Sequence, residues 1–262
     1  MSFKTILFLL SFISPFSVCL GQSDLKLIAH RGGIVDSTYT ENGLPALKKA
    51  AEAGYAMVEI DMRKSKDGIL LANHDANFSR YYNSPGKVAE TNWSEIQKLS
   101  SKIDQNVPLK LEDIFSFCQS NKLDVMLDNK IEGLDITLFN QLIALLDKYD
   151  LRKNALMIGT EESTEFFTGK VKLSCTRKQL EENKKSKDYS PDHYFLFERP
   201  ANLSREDVLW AENEKIMVVA AINKYHYRNE TDMYQHAKSD CKKMQTYGVK
   251  YFQIDSEFGQ FF

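Results

Sequence analysis

Reactive side chains gather in the first third of the chain: His30-Arg31-Gly32, then Glu59-Ile60-Asp61, then His74-Asp75. Each group closes or follows an apolar run, Leu25–Ala29 before His30, Ala56–Val58 before Glu59 and Ile69–Ala72 before His74. Polar groups at the ends of such runs face a site rather than a core. Two imidazoles that titrate near neutrality suit general acid and base work. The planar donor fork of Arg31 suits the oxygens of a phosphate, and Lys130 adds a point charge. This is the equipment for cleaving a phosphodiester.

Glu59 and Asp61 are one residue apart, so on a strand both side chains share a face. Asp128 closes a further apolar run and supplies a third carboxylate. Convergent carboxylates repel unless one keeps its proton or a hard cation such as Ca2+ or Mg2+ binds among their oxygens. The same residues also fit a structural ion network, Glu59 and Asp61 paired with Arg31 and Lys130. Each histidine alone equally fits a hydrogen-bonded structural role. Both readings stand at this level, and the two histidines beside the carboxylates favour the metal site.

The elements that must position these groups follow from the alternation of short apolar runs with amphipathic stretches. Strands are expected at Leu25–His30, Ala56–Asp61, Leu123–Asp128, Ala155–Gly159, Val171–Ser174, Tyr194–Glu198, Ile216–Ile222 and Lys250–Asp255. Helices are expected at Gly43–Ala53, Leu111–Ser120, Asp135–Tyr149, Glu161–Thr168, Arg177–Lys187, Arg205–Asn213 and Asp232–Tyr247. Eight strands alternating with helices over this length is the pattern of a closed parallel α/β barrel, the TIM (β/α)8 fold, with its site at the C-terminal ends of the strands. Ser204 with Asp207 reads as a capping sequence, Thr231 as the cap of the last helix and Gly248 as its stop. The stretch Ala76–Val107 breaks the rhythm without a strong apolar pattern and is read as an inserted lid or pocket wall.

The chain has 262 residues, 43% hydrophobic and 27% charged, enough for one sizeable core and one domain. Thirty-four basic against 36 acidic residues leave no electrostatic footprint for nucleic acid or a membrane surface. Lys4 followed by an apolar stretch from Ile6 to Val18 reads as a signal peptide, too short to span a bilayer comfortably. Cleavage after Gly21 makes residues 1–21 the leader and 22–262 the domain, exported across the inner membrane to the periplasm or outside. A lipid anchor at Cys19 is a weaker alternative, because Val18 precedes it. Cys118, Cys175 and Cys241 form no disulfide framework or zinc spacing, and Cys118 and Cys241 are expected as buried apolar residues in helices.

In order along the chain, Ile28-Ala29-His30-Arg31-Gly32, Thr40-Glu41-Asn42, Val58-Glu59-Ile60-Asp61, Lys66-Asp67-Gly68, His74-Asp75, Val107-Pro108-Leu109-Lys110-Leu111-Glu112-Asp113 and Gly248-Val249 with Ile254-Asp255 resemble the glycerophosphodiester phosphodiesterase family. The resemblance implies a barrel with an insertion after its second strand. It also implies that His30 and His74 act as acid and base, that Glu59 and Asp61 bind a divalent cation, and that Arg31 contacts phosphate. The family usually carries Glu where this chain has Asp128, with Lys130 two residues on. The shorter side chain implies water-mediated coordination or a changed metal preference. Gly43, where relatives often have Thr, and Ala220-Ala221-Ile222-Asn223, without the usual aromatic residue and Thr, leave the glycerol wall in question, with Asn223 still directed into the mouth.

The function expected is metal-dependent hydrolysis of a small glycerophosphodiester to glycerol 3-phosphate and an alcohol. Two alternatives remain: a phospholipid headgroup or phosphoglycosyl substrate, motivated by Gly43 and Ala221, and a silent phosphate-binding protein. Glu198, Arg199, Tyr225 and His226 also fall at strand ends and are candidates for the pocket wall.

Overall fold

Lys26–Ala29 (β1) lies between Met57–Lys64 (β2) and Tyr251–Ile254 (β9), parallel to both, and this double pairing closes the sheet on itself. The ring continues from β2 through Asp124–Asn129 (β4), Leu156–Ile158 (β5), Lys172–Cys175 (β6), Tyr194–Glu198 (β7) and Met217–Ile222 (β8) to β9, every neighbour parallel. The computed structural model describes residues 24–33 and 38–262. The expected leader, residues 1–21, and Cys19 lie outside the described residues. The expected (β/α)8 barrel is the fold observed.

Alternation along the strands builds two cores. Ile28, Met57, Met126, Leu156, Phe195 and Val219 point inward and plug the barrel, while Ala29, Val58, Leu127, Met157, Leu173 and Leu196 point outward into the helices. The plug fills the barrel's lower part, so inward residues further along each strand meet at the mouth. Parallel strands buried on both faces explain why the sequence shows short apolar runs rather than clean polar alternation.

The described helices are Leu44–Glu52 (α1), Ser79–Tyr82 (α2), Trp93–Ile96 (α3), Leu111–Asn121 (α4), Ile136–Lys148 (α5), Thr164–Phe167 (α6), Arg177–Asn183 (α7), Arg205–Asn213 (α8) and Met233–Tyr247 (α9). Ser204 and Asp207 form the expected reciprocal cap, and Gly248 ends α9 in the left-handed region at φ 95°. The cap of α9 is Asp232, not Thr231: its carboxylate accepts from the Gln235 N–H, one residue nearer the helix. Cys118, Cys175 and Cys241 are all buried and free, so no bridge forms among them.

Two expectations change. β2 does not stop at Asp61 but runs to Lys64, because Leu70–Ala72 (β3) folds back antiparallel against its last three residues. The run before His74 is therefore a hairpin arm outside the barrel, and Glu59 and Asp61 sit within a strand. The Ala76–Val107 segment, read as weakly apolar, has its own small core: Phe78, Tyr82, Val88 and Ile96 bury against Leu71 of β3, with Phe78 edge-on to Tyr82 at 5.9 Å. At about 1.5–3 kcal/mol for each fully buried large apolar side chain, this cluster holds the insertion in one place.

The turn after β1 is set by glycine. Gly33 has φ 125°, and a Cβ there would lie 2.8 Å from both the Ala46 carbonyl oxygen and the Ala50 Cβ of α1. Gly33→Ala is therefore expected to destabilise the fold by about 2 kcal/mol or more. Urea unfolding checks this, and an unchanged midpoint would refute the packing described.

Candidate active site

Inward alternation carries Glu59 and Asp61 of β2 and Asp128 of β4 to one spot, with Asp61 and Asp128 paired in register. Their carboxylate oxygens lie within 4.8 Å of one another, and Glu59 and Asp61 are almost fully buried. Lys130 is the one lysine or arginine in ion-pair contact with this set among the described residues, 2.5 Å from Asp128 and 3.6 Å from Asp61. Burial, then the charges of Asp61 and Asp128, push the Glu59 carboxyl well above its ordinary range, and burial likewise raises Asp128. One ammonium does not balance three carboxylates. A hard divalent cation among six oxygens fits this donor set.

The ion-network alternative accounts for only part of the geometry. Lys130 behaves as that reading requires, but the Arg31 guanidinium turns away, and its contact with Glu59 is through the backbone N–H at 2.8 Å. That contact requires Arg31 in the left-handed region, φ 51° and ψ 44°. Asn42 buttresses the other ligand: its amide donates to Asp61 Oδ2 at 2.9 Å and its carbonyl accepts from the Asp61 N–H at 3.2 Å.

Both histidines are oriented by carboxylates. His30 donates from Nδ1 to Asp255 Oδ1 at 2.5 Å, and Asp255 Oδ2 accepts from the Lys224 N–H at 2.6 Å. His74 donates from Nδ1 to Asp75 Oδ1 at 2.7 Å. In each ring Nε2 is left with a lone pair. The His30 Nε2 lies 3.9 Å from Glu59, and the His74 Nε2 accepts from Arg31 Nη2 at 2.8 Å. Arg31 also reaches Glu41 at 3.1 Å, while its buried Nε–H has no partner among the described residues, a donor available to an anion at this point.

Asp75 and Glu41 are joined by Arg80 of α2. Its guanidinium chelates Asp75, with Nε 2.8 Å from Oδ2, and reaches Glu41 Oε1 at 2.9 Å. The Arg80 bonds hold the Asp75 carboxyl down at about 2, with His74 contributing. Arg63, inward on β2 two residues past Asp61, donates to the backbone carbonyls of Asn73, His74 and Lys130 and pins the hairpin to β4.

Other expected residues are placed as follows. Asn223 is buried past the end of β8, donating to Gln253 Oε1 at 3.2 Å, and its own Oδ1 has no partner. His226 is half-buried, donates to the Ala221 carbonyl at 3.1 Å, and is lowered by burial. Tyr225 is exposed, with Arg228 over its ring. Gly43 does not border the mouth: a Cβ there would meet Asn106 at 2.6 Å and the Thr40 carbonyl at 2.8 Å, so this position faces the insertion.

The sequence matches the glycerophosphoryl diester phosphodiesterase family over residues 30–251. The chain belongs to that family. Among curated relatives, glycerophosphodiester phosphodiesterase 1 of Bos taurus is 27% identical over 165 residues, 49% of each chain. A glycerophosphodiester phosphodiesterase of Caldanaerobacter subterraneus is 38% identical over 77 residues, 29% of this chain and 31% of its own. The chain thus spans half or less of these relatives' lengths. Among solved structures, a glycerophosphoryl diester phosphodiesterase from Parabacteroides distasonis superposes with TM-score 0.74 at 18% identity, covering 91% of this chain and 85% of its own. An Oleispira antarctica phosphodiesterase, solved with the product sn-glycerol-3-phosphate, gives 0.70 at 20% identity, covering 92% and 99%. At such identities these neighbours establish the shared barrel.

In this family member, Glu41, Arg63, Arg80 and Asp255 join the site without having been singled out for a role. Arg63 was signalled by continuing the inward alternation of Glu59 and Asp61. Arg80 had no local signal, since only the packing of Phe78 and Tyr82 aims it at Asp75.

Two expectations follow. Folded Glu59 holds its proton more tightly than unfolded Glu59, so its contribution to stability is complete below the ordinary value of 4.5 and is lost as pH climbs toward the raised folded value. In chelator the melting temperature should fall as pH rises above the ordinary carboxyl value of 4.5, and more steeply than in millimolar Ca2+ or Mg2+, with the cation's gain growing with pH. Identical curves would mean that the carboxylates hold no cation. In Arg80→Ala the Asp75 carboxyl should return from about 2 toward the ordinary carboxylate range, read by carboxyl NMR titration. An unmoved Asp75 would remove Arg80 from this role.

Proposed function

We infer that the protein hydrolyses a glycerophosphodiester to glycerol 3-phosphate and a free alcohol, using a divalent cation, Ca2+ or Mg2+, at Glu59, Asp61 and Asp128. The observation that carries this reading is the meeting of three buried carboxylates with two imidazoles, each imidazole oriented by its own carboxylate and offering Nε2 to the same mouth. Family membership supports the reaction class, and the Oleispira neighbour with bound sn-glycerol-3-phosphate supports the product.

When bound, the cation supplies neutralisation of charge on the phosphoryl oxygens. The chain's own groups do the rest. Arg31 leaves His74 and, with Lys130, takes phosphate oxygens, its unpartnered Nε–H ready for an anion. One histidine Nε2 removes a proton from the attacking hydroxyl, that of water or of the glycerol next to the phosphate, and the other delivers a proton to the departing alcohol oxygen. Attack by the glycerol hydroxyl would give a cyclic phosphate, which water then opens with the two histidines exchanging roles. Asp255 and Asp75 hold the Nδ1–H of both rings, so the ring that acts as base presents a lone pair at Nε2, and the ring that acts as acid enters as imidazolium with its transferable proton on Nε2. Asn223, with an unpartnered carbonyl oxygen, is the acceptor for a substrate hydroxyl.

Export led by residues 1–21 forms part of the same proposal and rests on the Lys4 and Ile6–Val18 pattern. Among the described residues no helix is long and apolar enough to cross a membrane.

His30→Ala and His74→Ala are each expected to lower kcat by about 10²–10⁴-fold on a glycerophosphodiester, with chelator abolishing the wild-type rate. Coupled detection of glycerol 3-phosphate checks this. Activity that survives both substitutions, or survives chelation, would overturn the acid, base and metal assignments.

A further inference from the structure

We propose that the cavity at the opposite side of the mouth, past β5, β6 and β7, receives the leaving alcohol and selects a neutral polyol. The proposal rests on the phosphodiesterase reading above and names which alcohol that reaction releases.

The cavity measures about 490 Å3, within the range of small-molecule sites, and is lined by Thr160, Glu161, Ser174, Gln179, Asn183 and Phe197 among others. Its lining takes in the C-terminal ends of β5, β6 and β7, the end of the barrel that also carries the site, with Leu173 and Cys175 of the outer core and Thr164 of α6 as its outer wall. Ser174 is inward by alternation, since Leu173 and Cys175 on either side belong to the outer core, and Phe197 packs on the inner plug. Ile158, just before the lining residue Gly159, pairs in register with Asp128. The cavity therefore begins one strand beyond the third carboxylate. Asn223 lies past β8, toward His30 and Asp255, so the mouth has separate flanks for the two halves of a diester.

The lining sorts ligands by chemistry. It contains no lysine, arginine or histidine and one carboxylate, Glu161, which forms no hydrogen bond or ion pair among the described residues. An anionic alcohol would meet no counter-charge there. The Ser174 hydroxyl is likewise without a partner among the described residues. The Gln179 carbonyl is already occupied by the Thr176 N–H at 2.8 Å and hydroxyl at 3.0 Å, leaving its amide N–H groups. Asn183 donates to Cys175 Sγ at 3.6 Å, leaving its carbonyl oxygen, and the Thr160 hydroxyl donates to Ser163 Oγ at 3.0 Å and accepts from the Ser163 N–H at 3.3 Å, leaving one lone pair. Acceptors thus outnumber donors, with one aromatic face beside them. A ring or chain bearing several hydroxyls satisfies that set. A trimethylammonium alcohol has no N–H to give and finds only one ring.

The test compares three soluble diesters sharing the glycerol phosphate half, with inositol, choline or ethanolamine as the alcohol. Wild type is expected to favour the inositol diester over the choline diester by about tenfold or more in kcat/KM, and Ser174→Leu, which fills the cavity, to collapse that ratio toward unity. Ser174→Ala, which removes only the hydroxyl, should lower the ratio by about threefold. Thermal melts of both variants establish that they are folded. Calorimetric titration of free myo-inositol, with binding lost in Ser174→Leu, supplies an arm that needs no turnover. If wild type binds inositol but hydrolyses no diester, the phosphodiesterase reading fails and the polyol site stands. No inositol preference, an ethanolamine preference marking Glu161 as an ammonium site, or a ratio unmoved in Ser174→Leu would each overturn the proposal.

Discussion

Three carboxylates held within 4.8 Å in the mouth of a closed barrel are the constraint around which the rest of this structure is arranged. Burial removes the water that would separate their charges, and Lys130 offsets only part of the repulsion. The arrangement persists because the strands leave it no alternative. β2 and β4 are locked in parallel register from Met57 against Asp124 to Met62 against Asn129, with an apolar plug below and packed helices outside. The Arg31 N–H on Glu59 and the Asn42 amide on Asp61 then fix the orientation of each carboxylate. A site under this electrostatic load is suited to a cation, and the barrel provides the rigidity that keeps it ready.

The histidines are held by longer reaches of chain. His30 sits at the end of the first strand, yet its orienting carboxylate, Asp255, follows the last one, so closure of the barrel completes that pair. His74 depends on a different device. The β2–β3 hairpin presents it, Arg63 ties the hairpin to the barrel, and Arg80 links Asp75 to Glu41 across the mouth. Arg80 is aimed by α2, whose position depends on the small core of Phe78, Tyr82, Val88 and Ile96. The insertion thus acts through packing on the groups that orient His74, which gives a physical reason for an excursion that otherwise looks dispensable.

The mouth is divided. Its half on β1, β2, β4 and β9 carries all the charged groups of the proposed chemistry. Its other half holds the cavity past β5 to β7, lined by hydroxyls, amides, Phe197, Leu173, Cys175 and the carboxylate of Glu161, with Glu198 and Arg199 at the end of β7 outside that lining. Under the two proposals above, such a division separates bond cleavage from recognition, the first half acting on the phosphodiester and the cavity on what the phosphate is attached to.

The eight strands and most of the helices were legible because the apolar runs had barrel-strand length and regular spacing, and because Ser204, Asp207 and Gly248 marked boundaries by local hydrogen bonding and backbone preference alone. The carboxylates and histidines were legible for a similar reason: period two on a strand and placement after apolar runs are properties of neighbours in sequence. What escaped were relations between distant segments. β2 continued past Asp61 only because β3 turned back to pair with it, Gly43 proved to face Asn106, and Arg80 and Asp255 gained roles from residues 39 and 225 positions away. The sequence by itself determined the barrel and the set of reactive groups, since both follow from local periodicity. Tertiary structure alone decided which carboxylate orients which histidine and where the cavity without basic groups lies, because those depend on how the closed ring brings its ends and its loops to one face.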